Sequence, residues 1–125
     1  MDTLSKFVAP GILLLLTLLF GLGLSLSGKP YNGILFNIHK LVALGVVIVT
    51  SIQVYLVNKN LHPQAIVTAL VIAACIGVVL LFVTGALMSA GKLSFQVMLA
   101  IHRVALFLTT FTVAGMVYFL IGRKL

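Results

Sequence analysis

The sequence predicts an all-α integral-membrane protein, a four-helix up-down-up-down bundle built from two repeated helical hairpins. Three observations predict it. The 125-residue chain is 62% hydrophobic and 7% charged, with mean hydropathy +1.33, too little polar surface to cover a water-soluble globule. Its apolar residues fall into four runs of about twenty residues or more, each long enough to cross a hydrocarbon core of about 30 Å. The two halves of the chain also align without a gap at an offset of 102 − 39 = 63 positions.

Turn signals cut the runs. The first spans about 7–27, tolerates Pro10 in its opening turn and stops at Gly28-Lys29-Pro30. Lys6, the stretch from Ile12 to Leu26 and the Ser25-Leu26-Ser27 triplet imitate a signal peptide. Its place in the repeat, as partner of a retained helix, predicts a transmembrane helix instead. The second run spans about 33–57 and stops at Asn58-Lys59-Asn60-Leu61-His62-Pro63. The third spans about 64–90 and stops at Gly91-Lys92. The fourth spans about 94–121 and leaves Gly122-Arg123-Lys124-Leu125 as a basic end. None shows strand alternation, and a lone strand in lipid would leave its backbone unpaired. Short connections make successive helices antiparallel neighbours, with both termini on one side. No linker divides the chain, so residues 1–125 read as a single transmembrane domain with repeat units of about 1–62 and 64–125.

The offset of 63 places Gly28-Lys29 on Gly91-Lys92, Leu24 on Leu87, His39-Lys40 on His102-Arg103 and Val54-Tyr55 on Val117-Tyr118. Matches among Leu and Val come cheaply in so apolar a chain, but matched Gly-Lys, His-cation and Tyr do not. Each unit holds two crossings, so the copies enter from one side and are related by a pseudo-twofold along the membrane normal.

The formal charge of +7 sets eight Lys and Arg against the single acid Asp2. The cations lie at the ends of the apolar runs, as interfacial and topological determinants, not in a block suited to nucleic acid. Without Trp, any aromatic belt falls to Tyr31, Tyr55 and Tyr118. Cys75 has no intrachain partner and reads as a small buried packing residue.

His39 and His102 are the ionisable groups with a specific meaning. A lone His near a transmembrane helix end reads as an interhelical hydrogen bond. Two at matched positions, on helices two and four of a bundle, lie at one depth across a diagonal of about 12 to 14 Å. A haem iron takes two axial imidazoles on opposite faces, so one b-type haem fits between them. Lys40 and Arg103, one residue on, are placed to reach back toward the nearer interface and pair with its propionates. Ala43, Gly45 and Ala105 would leave room for the ring; Phe36, Phe95 and Phe107 would line it.

The remaining polar and sulfur-bearing residues carry weaker expectations. His62 reads as a solvated loop residue, and Met88, Met98 and Met116 as packing. Asn37, Gln53 and Gln96 read as buried amides bonding between helices. Ala73 and Gly77 form a small-xxx-small pair for close helix contact. Zinc would need more ligands than a chain with one carboxylate supplies. No nucleophile triad, phosphate-binding Gly loop or Cys-x-x-Cys occurs.

With His39 and His102 in such a setting, the chain resembles the membrane cytochromes b, the group that includes the cytochrome b561 type and the cytochrome b subunits of respiratory complexes. The resemblance is one of design and implies a haem b held between His of two helices. Two-haem members carry two His on one helix, about four turns apart. Here the positions thirteen and fourteen beyond His39 are Ile52 and Gln53, and beyond His102 they are Gly115 and Met116, so one haem is expected.

The expected function is membrane electron transfer, with a quinol or a redox partner subunit exchanging electrons with the haem. The protein would act as a subunit of a larger complex or as a homo-oligomer in lipid, not as a self-contained enzyme. The location expected is a bacterial or archaeal inner (plasma) membrane, with termini cytoplasmic and the haem toward the outer face. The alternative is a cofactor-free scaffold or accessory subunit, or a small transporter. Transport through a buried carboxylate is disfavoured, since no acid lies in any run.

Overall fold

The computed structural model describes residues 5–27, 33–62, 64–91 and 94–122. A 3-10 turn at Ser5–Phe7 precedes four α-helices: α1 (Val8–Ser27), α2 (Gly33–Asn58), α3 (Ala65–Ala90) and α4 (Phe95–Gly122). The described residues include no strand. Every helix boundary falls within a residue of its expected place, and all four helices are long and apolar enough to cross a bilayer. Asp2, Gly28-Lys29-Pro30, Tyr31, Pro63, Lys92 and the basic end Arg123-Lys124-Leu125 lie outside the described residues.

The described ends have local causes. Pro10 is the third residue of α1, within the turn whose N–H groups lack intrahelical partners. α3 stops because Gly91 turns left-handed at φ 68°, and its N–H donates to the Leu87 carbonyl at 3.1 Å. Glycine adopts that conformation without a Cβ penalty.

The contacts group into two compact units, residues 1–60 and 61–125, each a helical hairpin. In the first, the Leu35 side chain lies beside Gly23 and the His39 ring beside Gly21, so α2 runs back along α1. In the second, Thr109 lies against Gly77 and His102 against Gly85, which sets α4 antiparallel to α3. The first hairpin buries Phe7, Pro10, Thr17 and Leu24, and α2 contributes no fully buried residue. The second is the tighter: Leu120 is 0% and Val67 2% exposed, with Ala74, Ala105 and Met116 also buried.

Hydroxyls in these helices mostly satisfy themselves one turn back, as an apolar surround requires. Thr17 donates to the Leu13 carbonyl at 2.8 Å, and Thr112 to that of Leu108 at 2.7 Å. Thr109 differs: its hydroxyl is buried without a hydrogen-bond partner and occupies the space a side chain at position 77 would need. Gly77 thus admits the partner helix at a distance no larger residue permits, as small residues do in membrane helix pairs.

Several side chains take faces other than those expected. Cys75 is exposed on its hairpin, not buried, and Asn37, Ala73 and Gln96 are exposed as well. A helix that is apolar nearly all round has no polar face to mark which side packs against its neighbour. Tyr55 and Tyr118, 63 positions apart, are 68% and 75% exposed near the C-terminal ends of α2 and α4.

Candidate functional site

His39 lies in the second turn of α2, half-buried against α1. Its Nδ1 stands 3.0 Å from the Thr17 carbonyl oxygen. A carbonyl only accepts, so Nδ1 carries the proton, and in the neutral ring the lone pair falls on Nε2. Gly21 makes this approach possible: a Cβ there would stand 2.9 Å from the His39 Cε1, closer than carbon atoms tolerate.

His102 occupies the matching place in α4, half-buried against α3. Its Nδ1 is 2.8 Å from the Thr84 hydroxyl oxygen. That hydroxyl donates into its own helix, 2.7 Å from the Leu80 carbonyl and 3.2 Å from that of Leu81, the first a normal O–H···O length. The single hydroxyl hydrogen is therefore given to Leu80, and the hydrogen toward His102 comes from Nδ1. Thr84 is 4% exposed, which shields the relay.

Each such bond is worth only about 1 kcal/mol in a membrane interior, too little to be what holds a hairpin of this length together. Its larger effect is on the ring, whose rotation and tautomer it restricts. Thr17, Gly21, Thr84 and Gly85 were not singled out by the sequence patterns. The signal that could have found two of them is the offset itself, because Gly21 and Thr84 are 63 positions apart.

Lys40 is exposed, with its Nζ 5.4 Å from the centre of the Phe36 ring. A cation over an aromatic face is attracted to it, and Phe36 lies one turn before Lys40 in α2. Arg103 is exposed one residue beyond His102. Ala105 is buried, Phe36 and Phe95 are half-buried, and His62 is exposed in the segment after α2. Among the described residues no three His, Cys, Asp or Glu gather as a metal-binding group. The candidate site therefore comes down to two oriented imidazoles, one per hairpin, each followed by a cation. No family model, curated protein or solved structure matches this chain.

Proposed function

We propose that this chain is a multi-pass membrane electron-transfer protein in which His39 and His102 hold one b-type haem, one imidazole coming from each hairpin. The observation that carries it is the shared state of the two rings. Both commit Nδ1–H to a hydrogen bond inside their own hairpin, the arrangement that orients a metal-ligating His and raises its basicity. Two neutral imidazole nitrogens are a donor set that a six-coordinate b-type haem accepts, and neighbouring cations would pair with its propionates.

Bound haem would supply one-electron redox chemistry. The chain's own part is to hold the two ring planes, to meet the propionates with Lys40 and Arg103, and to surround the group with an apolar medium. The four helices cross the membrane as an up-down-up-down bundle of two repeated hairpins, with cytoplasmic termini and the haem toward the outer face. A quinol or a partner subunit is the other party to electron exchange. With so little exposed polar chain, the bundle works within a larger complex or as a homo-oligomer.

One observation favours a second reading, a cofactor-free scaffold or accessory subunit. Each Nδ1 bond closes within its own hairpin, as a polar link between two membrane helices does. Haem stoichiometry separates the two. Detergent-purified protein reconstituted with haemin is expected to hold one haem per chain by pyridine haemochrome assay. A ratio near zero contradicts the proposal, and a ratio of two contradicts the single site.

A further inference from the structure

We propose that Thr84 is a positioning residue that fixes the proton of His102 on Nδ1, doing with a hydroxyl what the bare backbone over Gly21 does for His39. Both rings then carry Nδ1–H from one kind of anchor, and in the neutral ring the lone pair lies on Nε2. The inference deepens the haem reading and rests on it only for the identity of the group those lone pairs would bind.

The two hairpins reach one end point by different routes. Leu80 stands 63 positions beyond Thr17, as Thr84 does beyond Gly21 and His102 beyond His39. In the first hairpin, position 21 has no side chain, so the ring approaches α1 and its Nδ1–H donates directly to the Thr17 carbonyl at 3.0 Å. In the second, position 84 has a side chain. Its hydroxyl stands between ring and backbone, accepting from Nδ1 at 2.8 Å and donating to the Leu80 carbonyl at 2.7 Å.

The carbonyl that closes the chain of bonds is therefore the matching one in both hairpins. Its capacity allows this, since a helical carbonyl oxygen has a second lone pair beyond its own backbone bond. A threonine here is more than a packing residue: of its side-chain atoms only the oxygen can accept a hydrogen bond from the imidazole N–H. At the neighbouring position the ring has ordinary clearance, for a Cβ on Gly85 would stand 3.7 Å from the His102 Cε1.

The test uses the full-length, haem-free protein in detergent, with ring-¹⁵N histidine, at pH about 8.5, above the usual imidazole range. Wild-type protein is expected to show Nδ1 protonated and Nε2 unprotonated for both His39 and His102. Thr84→Val should remove that signature from His102 alone and leave His39 unchanged, which also reports that the chain is folded. Thr84→Ser should restore it. A wild-type His102 protonated on Nε2, a Val variant with an unchanged His102, or a Ser variant behaving like Val would each overturn the proposal. Where the Val variant does not fold, Thr84→Ala, which also lacks the oxygen, takes its place with the same expected and contradicting results. Because no haem is present, failure of the chain to bind haem leaves this readout intact; a haem-binding chain with the wrong tautomer overturns this inference and not the haem reading.

Discussion

Gly77→Ala is expected to destabilise the α3–α4 hairpin by about 1 to 3 kcal/mol, the usual cost of overpacking. A Cβ at position 77 would meet the Thr109 Cβ at 3.1 Å and its Cγ2 at 3.4 Å, besides colliding with its hydroxyl oxygen. The Thr109 Cβ is fixed to the backbone of α4, so no rotamer change clears the contact and the helix itself must retreat. The gain in helix propensity from Gly to Ala is only about 1 kcal/mol and offsets part of the loss. The comparison that isolates packing is Gly45→Ala and Gly115→Ala, where an added Cβ meets nothing within 4 Å. Those two should be neutral or slightly stabilising. Thermal unfolding in detergent, followed by helical circular dichroism, measures all three. Equal midpoints for Gly77→Ala and Gly115→Ala would show that the close approach of Thr109 carries no energetic weight.

Gly21→Ala is expected to weaken haem binding by about 10- to 100-fold, the usual effect of losing a bond that orients a metal ligand. The new Cβ would stand 2.9 Å from the His39 Cε1 and 3.4 Å from its Nδ1. The ring sits at the end of a side chain and can swing aside, so the helix survives, but the Nδ1 bond to the Thr17 carbonyl does not. Gly85→Ala makes the same chemical change beside the other histidine, where the nearest ring atom is at 3.7 Å, and should alter affinity less than about twofold. Haemin titration of each variant checks this. An equal loss in both would mean that ring orientation does not govern binding.

The ends of the helices were legible because glycine, proline and amide clusters mark them. Gly91 is the clearest case, a turn residue whose left-handed conformation ends α3. That His39 and His102 lie in the early turns of α2 and α4 was legible too, from their distance to the turn signals before them. What the sequence hid was azimuth, the side of the helix on which a residue packs. In a soluble protein the polar face reveals it; α3 is apolar nearly all round, so Cys75 and Ala73 could be placed at a height but not on a face. The same blindness hid Gly21 and Thr84, whose meaning depends on which helix lies across from them. Thr109 was hidden for another reason, since an unpaired buried hydroxyl is a cost that pattern rules do not anticipate.

The most direct measurement of the central claim is a pair of absorption spectra, oxidised and dithionite-reduced, of haemin-reconstituted wild type beside His39→Ala and His102→Ala. Wild type should give the sharp reduced bands of a six-coordinate b haem, and each variant should lose them or fall to a five-coordinate spectrum. A wild-type protein that stays colourless with haemin, or six-coordinate bands that persist in either variant, would contradict the assignment of His39 and His102 as the two ligands.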